Sequence, residues 1–431
     1  MSKILALVAL ILVLVLSACT TNNGNGGNNG GSNSLKITLT APSGVSPSVI
    51  VLGPSNFKQT VTASTTLSSL TAGNYYLLPQ SARKSGGTIA DTAYSADPQT
   101  VAVLGSTQAS VIYTQAPGSG KLWVGISFIN SGDPLILGYD TARLGSSNPA
   151  LGATTKLGQD PSVDDPQGLA FDAGGNLWVA SRRQNQLVEY TVSQLSSSDP
   201  GLKPARVLTS ADFDGPWGLA FDSDGGLWVS NYISAKVVHF SAYALASSTT
   251  LTPDRTLQGF FNPAGLAFDP SGNLWVADGS TSANKVFGFG PAKIASSGSP
   301  TPDFTLTGGT STTPIAPNAL AFDPSGNLWV STNNYLFRYP KGRLSNPAAL
   351  PDVQLNPSTT NTNVFGSIAF DNGGNLWATD FDGTKSYLMM FAPASQKGGA
   401  VTPDRSFSGP DLNHPPYGLA FDMAPANLPL R

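Results

Sequence analysis

One short motif recurs along most of this chain and restricts its fold more than any other feature. It reads Gly-Leu-Ala-Phe-Asp or a close variant, and its six copies occupy residues 168–172, 218–222, 265–269, 319–323, 367–371 and 418–422. After each of the first five copies, a glycine-containing turn leads into Leu-Trp-Val or Leu-Trp-Ala. The tryptophans recur every 47 to 55 residues, at Trp123, Trp178, Trp228, Trp275, Trp329 and Trp377. This spacing is typical of a repeat unit of four strands.

The two ends of the repeat array complement each other. Leu-Trp-Val at Trp123 has no Ala-Phe-Asp before it, and the last Ala-Phe-Asp has only a degenerate segment after it. If residues 418–422 form the innermost strand of the sheet that starts at Lys121, the array closes on itself and exposes no sheet edge. The pattern therefore predicts an all-β fold, with a six-bladed β-propeller over residues 121–431 that is closed between its N- and C-terminal strands.

The repeat unit also resembles a known family. The pattern Pro-x-Gly-Leu-Ala-Phe-Asp-x-x-Gly-Asn-Leu-Trp-Val-Ala-Asp is similar to the NHL repeat and to the broader group of gluconolactonase-like six-bladed propellers. The resemblance covers residues 121–431 and is specific for the fold. It implies little about function, because this fold carries lactonases, lyases and binding platforms.

The residues that repeat in every unit suit structural roles. An Asp at the first position of a turn accepts hydrogen bonds from its own backbone. The six Asp residues of Ala-Phe-Asp are therefore predicted to cap turns rather than to form a ring of carboxylates. The six repeated tryptophans are expected in the core between the blades.

A smaller β domain is predicted before the repeats, over residues 35–117. Its apolar residues alternate in short runs separated by Gly, Pro and Ser, which favours a β-sandwich. The stretch from Leu67 to Leu77 resembles a hairpin of the prealbumin-like and Ig-like spacer domains of bacterial surface proteins. Residues 116–120 read as the linker to the repeats.

The N-terminus predicts export and a lipid anchor. Residues 1–18 contain one lysine and then an apolar run from Ile4 to Leu16, which is typical of a signal peptide. Leu-Ser-Ala-Cys ends this segment and resembles the bacterial lipobox, in which the thiol, here Cys19, carries diacylglycerol. An ordinary signal peptide with an incidental cysteine is the alternative. Residues 19–34 read as a flexible Asn/Gly-rich tether, so the chain is expected on the bacterial cell membrane or the outer membrane.

Composition excludes several classes of function. The chain has 23 Lys and Arg against 26 Asp and Glu, a net charge of −3, which gives no electrostatic basis for binding nucleic acid. One cysteine and two histidines are too few for a disulfide framework or a zinc cage of Cys and His. Glu189 is the only glutamate.

Enzymes with similar repeats have metal-binding or catalytic residues, and this sequence supplies only some of them. Gluconolactonase-like enzymes bind a divalent metal through one Glu, two Asn and one Asp. Asn318 matches one Asn, and Asp278 or Asp380 could supply the Asp, but Glu189 lies off the axis. Streptogramin-lyase-like propellers use His and Glu, and here His414 has no Glu partner, whereas His239 is expected to pack between the blades. No cofactor is therefore expected, and a metal-dependent hydrolase or a lyase is the alternative to a non-enzymatic protein.

Function is expected where the repeats differ, in the loops before the innermost strand and after Leu-Trp-Val. Both sets of loops emerge on one axial face of a propeller. Their aromatic and polar side chains suit a protein, peptide or glycan ligand, although exposed loops carry such residues by chance as well. The candidates are Gln167, Arg182, Trp217, Asn231, Tyr232, Asp278, Asn318, Tyr335, Asp380, His414 and Tyr417.

Overall fold

The computed structural model describes residues 33–80, 82–83, 93–96, 98–115, 120–127, 135–145, 150–279, 284–307, 317–346, 349–356, 364–371, 373–412 and 414–422. The predicted signal peptide, Cys19 and residues 20–32 of the predicted tether lie outside these ranges. Within them, no helix is both long enough and apolar enough to cross a membrane.

The described residues are almost entirely strands and turns, so the expected all-β class is confirmed. Their two α-helices are short, α1 at Thr141–Leu144 and α2 at Ala242–Ser247. Single 3-10 turns lie at Pro54–Asn56, Gln194–Ser196, Lys341–Arg343 and Pro393–Ser395. Abundant Gly and Pro, 46 and 33 residues, provide the turns between the strands.

Strands β1 to β10 form the N-terminal part of the structure. They are Asn33–Thr40, Val49–Gly53, Phe57–Val61, Thr65–Leu70, Gly73–Pro79, Ala82–Arg83, Ala93–Ser95, Gln99–Val103, Ser106–Ile112 and Thr114–Gln115. They pair in the orders β4-β1-β9, β3-β2-β5-β8 and β10-β7-β6. Alternate side chains of the first two sheets, among them Ile37, Val51 and Tyr75, share one buried core. Strand β1 starts two residues before the predicted boundary.

Strands β11 to β36 form the remainder. They are Lys121–Ile126, Leu135–Asp140, Thr155–Leu157, Pro166–Phe171, Leu177–Ser181, Gln186–Tyr190, Arg206–Ser210, Pro216–Phe221, Leu227–Asn231, Lys236–Phe240, Thr250–Leu251, Arg255–Leu257, Pro263–Phe268, Leu274–Asp278, Lys285–Phe289, Phe304–Leu306, Pro317–Phe322, Leu328–Thr332, Leu336–Tyr339, Val353–Asn356, Val364–Phe370, Leu376–Phe381, Ser386–Phe391, Gly399–Ala400, Arg405–Phe407 and Pro416–Phe421.

In the described part of the chain after residue 119, these strands form six sheets. We number the sheets by their first strands. Sheets 1 to 5 are β14-β15-β16-β17-β21, β18-β19-β20-β22, β23-β24-β25-β26, β27-β28-β29-β30-β34 and β31-β32-β33-β35, and sheet 6 is β36-β11-β12-β13. The first strands contact one another in the circular order β14, β18, β23, β27, β31, β36 and back to β14.

Sheet 6 joins the end of the chain to the start of the array. Strand β36 pairs antiparallel with β11, with Phe421 opposite Leu122 and Leu419 opposite Val124. The carboxylate of Asp422 accepts hydrogen bonds from the backbone N–H groups of Gly120 and Lys121, each at 3.0 Å. The last copy of the motif therefore completes a sheet whose other strands lie about 300 residues earlier.

Close approach between neighbouring first strands explains the glycine of the motif. A Cβ atom on Gly168 would lie 2.2 Å from the carbonyl oxygen of Trp217, and one on Gly218 would lie 2.2 Å from that of Ala264. No side chain fits at such distances without moving the backbone. The repeated glycine therefore permits adjacent sheets to approach each other at the centre of the ring.

The predicted roles of the repeated Asp and Trp residues are confirmed in sheets 1 to 5. In sheet 3, Asp269 Oδ1 accepts the backbone N–H groups of Ser271 and Asn273, so the carboxylate caps its own turn. Its Oδ2 accepts the indole N–H of Trp275 at 3.0 Å, a contact that the sequence reading missed. The same Asp–Trp bond occurs in the other four sheets. The tryptophans lie in the buried clusters between sheets.

The N-terminal sheets contact sheets 1 and 2 at the end where the Asp turns lie. Tyr76 of β5 packs edge-on against Tyr243 of α2, with ring centroids 5.4 Å apart. Lys58 Nζ lies 2.6 Å from Asp224 Oδ1 in the turn between β18 and β19. The opposite end of the six sheets carries the predicted axial face.

Candidate functional site

A narrow opening of about 90 Å³ lies at the centre of the ring, and the first strands supply its lining. We call it the axial opening. Gln167, Trp217, Asn318, Gly366 and Tyr417 occupy matching positions in five of these strands and all line it. In all five strands the pairing shifts by a bulge at this position, and a bulge changes the direction of the side chain.

The lining of the axial opening is unequal. Tyr417, Gln167 and Trp217 come from three consecutive strands of the ring, β36, β14 and β18. The facing strands contribute the smaller residues Asn318 and Gly366. One side therefore presents large side chains, and the other leaves room.

Aromatic side chains cluster on the larger side. Trp217 stacks on Tyr232 with ring centroids 4.8 Å apart and meets Tyr417 edge-on at 6.0 Å. The guanidinium of Arg182 lies 5.3 Å from the Trp217 ring centroid, within the range of a cation–π contact. Trp217 therefore contacts three other residues predicted from the sequence, and the four form one cluster.

Asp165 organises this cluster, although the sequence reading missed it. Its buried carboxylate accepts hydrogen bonds from Gln167 Nε2 at 2.7 Å and from Arg182 Nη1 at 2.9 Å, and also from Ser127 Oγ. Its backbone adopts φ +55°, a conformation that Asp tolerates better than most residues. Burial, followed by the charge of Asp165, raises the pKa of the nearby Tyr417, and Arg182 partly opposes this.

The side-chain amide of Gln167 uses only part of its hydrogen-bonding capacity. Its side chain is 1% exposed, and its Oε1 has no hydrogen-bond partner among the described residues. A buried amide oxygen without a partner is unusual and costs stability. Because Gln167 lines the axial opening, a donor group of a ligand could occupy this position.

Two predicted ligand contacts need correction, because Asn231 and Asp278 are fully buried. Asn231 Oδ1 accepts the N–H of Asp214 at 2.9 Å. Asp278 accepts the N–H groups of Phe261 and Asn262 at 2.8 and 2.9 Å. Both residues end the second strand of their sheets, and from there they hold the loop before the first strand. They support the axial face and do not form its surface.

Asp380 occupies the same position in sheet 5 and is 1% exposed. Burial raises the pKa of its carboxyl to about 7, which the N–H of Phe381 partly opposes and the charge of Asp382 reinforces. This burial also removes Asp380 from the surface where the sequence placed it.

The remaining predicted residues are dispersed. Asn318 Nδ2 donates to Asn333 Oδ1 and to the carbonyl of Phe365, each at 3.1 Å, so it joins sheets 4 and 5 at the axial opening. Tyr335 packs against Phe337, with centroids 5.5 Å apart, at the edge of a core cluster. The carbonyl of His414 accepts a hydrogen bond from Ser386, and His414 is not among the residues that line the opening. Tyr335 and His414 therefore lie apart from the aromatic cluster.

Exposed apolar side chains extend the aromatic cluster outward. Ile233 follows Tyr232 and is 61% exposed, and Phe261 is 56% exposed. The two loops are tied together, because Asn262 Nδ2 donates to the carbonyl of Tyr232 at 3.2 Å. The sequence reading noted a divergent loop here but did not single out Ile233.

The side chains suited to catalysis lie elsewhere. Among the described residues, no group of three or more His, Cys, Asp or Glu side chains could hold a metal ion. Glu189 and His239 occupy matching positions in the third strands of sheets 1 and 2, both buried. His239 contacts Asp222 and Asp254 rather than the axial opening.

Comparison with known proteins concerns the fold alone. No family model matches the chain, and no curated protein matches it. A structure of a nidogen/laminin complex aligns at 16% identity and a TM-score of 0.49, over 71% of this chain and 99% of that one. Virginiamycin B lyase from Staphylococcus aureus with quinupristin aligns at 14% identity and a TM-score of 0.41, over 81% of this chain and 96% of that one. The Cps50 β-propeller domain from Myceliophteria thermophila aligns at 11% identity and a TM-score of 0.43, over 68% of this chain and 84% of that one.

These neighbours include β-propeller proteins, but at TM-scores below 0.5 they carry no argument about this chain. Its β-propeller fold is supported by its own sheets, whose first strands contact one another in circular order. At such low identity the likeness carries nothing about activity or ligands. The specific resemblance to NHL repeats stays a prediction of the sequence.

Proposed function

We propose that the six sheets are the blades of a closed six-bladed, NHL-like propeller, and that residues 35–117 form an Ig-like or prealbumin-like spacer. The circular contacts of the six first strands and the pairing of β36 with β11 support the first part. The shared core of the two larger N-terminal sheets supports the second.

We further propose that this protein binds a ligand through the aromatic side of the axial opening, without catalysing a reaction. The stacked pair of Trp217 and Tyr232, with Arg182 above it and the unsatisfied Gln167 oxygen beside it, carries this proposal. Trp, Tyr and Arg are the residues that contribute most to binding energy in protein interfaces. Exposed Ile233 and Phe261 favour a peptide or protein over a glycan.

Arrays of peptides and glycans, probed with the purified protein and then with Trp217→Ala/Tyr417→Ala, test this proposal. We expect the double variant to lose at least about tenfold in affinity for whichever ligand is found, as for two interface hot spots. Leu350→Ala is a matched control, because Leu350 is exposed but lies in the connection between the third and fourth strands of sheet 4. Unchanged binding by the double variant would place the ligand elsewhere.

We also propose that the protein is exported and anchored to a bacterial membrane by acyl chains on Cys19. The lipobox-like segment before Cys19 supports this, and two or three acyl chains are enough for stable anchoring. In a bacterial host, the wild type should incorporate labelled palmitate and sediment with membranes, and Cys19→Ala should do neither. Labelling or sedimentation that survives Cys19→Ala would contradict the anchor.

A further inference from the structure

A second and larger cavity, of about 400 Å³, lies between the N-terminal sheets and sheets 1 and 2, at the end of the propeller away from the axial opening. We call it the interdomain cavity. Its walls are mainly apolar. Ile50, Tyr76 and Leu78 come from the N-terminal sheets, and Trp178 and Phe221 come from sheets 1 and 2. Its size lies within the range of small-molecule sites.

Four charged groups line the interdomain cavity among these apolar residues, and one of them, Asp224, is largely exposed and pairs with Lys58. Glu189 is 5% exposed, and its Oε2 lies 3.2 Å from Arg206 Nη1. Asp172, at the turn of sheet 1, is a second carboxylate in this lining. Arg206 also donates through Nη2 to the carbonyl oxygens of Leu245 and Ser248. Apart from the Lys58–Asp224 pair, two carboxylates and one guanidinium therefore line the interdomain cavity, so one negative charge lacks a compensating cation when both carboxyls are ionised.

This arrangement is specific to sheet 1. The position of Glu189, opposite the repeated tryptophan, is occupied in sheets 2 to 5 by His239, Gly288, Arg338 and Met390. The only glutamate of the chain thus lies beside the turn aspartate in the one sheet where the interdomain cavity borders both. Burial, and after it the charge of Asp172, raises the pKa of Glu189 to about 7, although Arg206 lowers it. A like-charged pair in this position opposes folding.

We propose that the interdomain cavity binds a small molecule with an ammonium group and an apolar body. The excess negative charge of Glu189 and Asp172 would attract the cation, and desolvation strengthens that attraction. The rings of Trp178 and Tyr76 provide apolar surface and suit a cation. This site is independent of the ligand proposed for the axial opening.

Three probes that differ only in their polar end test the charge. They are 4-phenylbutylamine, 4-phenylbutan-1-ol and 4-phenylbutyrate, titrated into the full-length protein by calorimetry at pH 8, where Glu189 is mainly ionised. We expect the amine to bind at least about tenfold more tightly than the alcohol, as one charge-assisted hydrogen bond supplies, and the carboxylate to bind weakest. Equal binding of amine and alcohol, or no binding of the amine, would overturn the proposal.

Two variants locate the site. Glu189→Gln should remove the preference for the amine over the alcohol while leaving the affinity for the alcohol within about twofold. Ala246→Trp, on the helix that lines the interdomain cavity, should block both probes without changing any charge. Trp217→Ala, in the axial opening, is the matched control and should bind the amine like the wild type. An undiminished preference in Glu189→Gln, or full amine binding in a folded Ala246→Trp, would overturn the assignment.

Discussion

Sheets 1 and 2 keep one hydrogen bond in common and differ in the residues around it. In each sheet the turn aspartate accepts the indole N–H of the tryptophan six residues later. In sheet 1, Asn176 Nδ2 also donates to Asp172 Oδ2 at 2.9 Å. In sheet 2 the matching residue is Gly226, and the ring of His239 takes the place of the amide, with Nε2 3.0 Å from Asp222 Oδ2.

The glycine and the histidine of sheet 2 depend on each other. A Cβ atom on Gly226 would lie 2.2 Å from His239 Nε2, so the ring fits only because residue 226 has no side chain. In sheet 1, Asn176 fills that space, and Glu189 pairs with Arg206 instead. The Asp–Trp contact is therefore common to both sheets, whereas the residues around it differ in their charges and hydrogen bonds.

The largest effect is expected from Asp222→Ala. This change removes the acceptor for the Trp228 indole, the Gly226 amide and the His239 ring, and it should lower the free energy of unfolding by about 3 kcal/mol. Chemical denaturation measures the loss. Ser223→Ala, at the exposed neighbouring position, should change stability by less than about 0.5 kcal/mol. If Asp222→Ala lowered the free energy of unfolding by less than about 1 kcal/mol, the shared Asp–Trp contact would not be a main source of stability in the repeat.

Gly226→Asn should lower the free energy of unfolding by about 2 kcal/mol, because the new side chain would collide with the buried His239 ring. Adding His239→Gly recreates the Asn and Gly pair that sheet 3 has at Asn273 and Gly288. The double variant should therefore be at least about 1 kcal/mol more stable than Gly226→Asn alone, measured by the same denaturation. No recovery would show that the two positions are not coupled.

The two sheets should also respond to pH in neighbouring windows. A raised pKa means that the folded protein holds a proton that the unfolded chain releases, so stability falls as pH rises between the two pKa values. For Glu189 the window runs from its ordinary value near 4.5 to about 7.

For His239, burial lowers the pKa, but hydrogen bonds to Asp222 and Asp254 outweigh burial and raise it above 6.5. Its window therefore starts at 6.5 and lies at higher pH than that of Glu189. The free energy of unfolding should be measured by urea denaturation from pH 5 to 8. Glu189→Gln should reduce its dependence on pH in the lower window, and His239→Asn should reduce it in the upper window. Parallel curves for the wild type and both variants would refute the two shifts.

The smallest effect is expected at the contact between the N-terminal sheets and sheet 2. The pair of Lys58 and Asp224 is largely exposed, with 37% and 81% of the side chains accessible. Lys58→Ala should therefore change the free energy of unfolding by less than about 0.5 kcal/mol. Tyr76→Ala, which loses the packing against Tyr243, should cost more than Lys58→Ala. The reverse order would indicate that charge rather than packing joins the two parts.

Much of the fold could be predicted because the repeat states it six times. Periodicity, glycine positions and turn residues located the strands, and the mismatched ends of the array predicted the pairing of β36 with β11. The axial cluster was partly predictable, since Gln167, Arg182, Trp217, Tyr232 and Tyr417 occupy positions at which the repeats differ, although three of them lie in the first strands rather than in loops. Their burial was not predictable, and for that reason Asn231, Asp278 and Asp380 were placed on a surface to which they contribute only support.

The sequence by itself determined the β-propeller class, because local patterning sets which residues can form strands and turns. Only the tertiary structure decided which polar groups face each other, because hydrogen-bond partners such as Asp165 and Ser127 are distant in the chain. The lone glutamate illustrates both. The sequence placed Glu189 off the axis, and the packing of the N-terminal sheets against sheets 1 and 2 put it beside a cavity, where burial beside Asp172 changes its acidity.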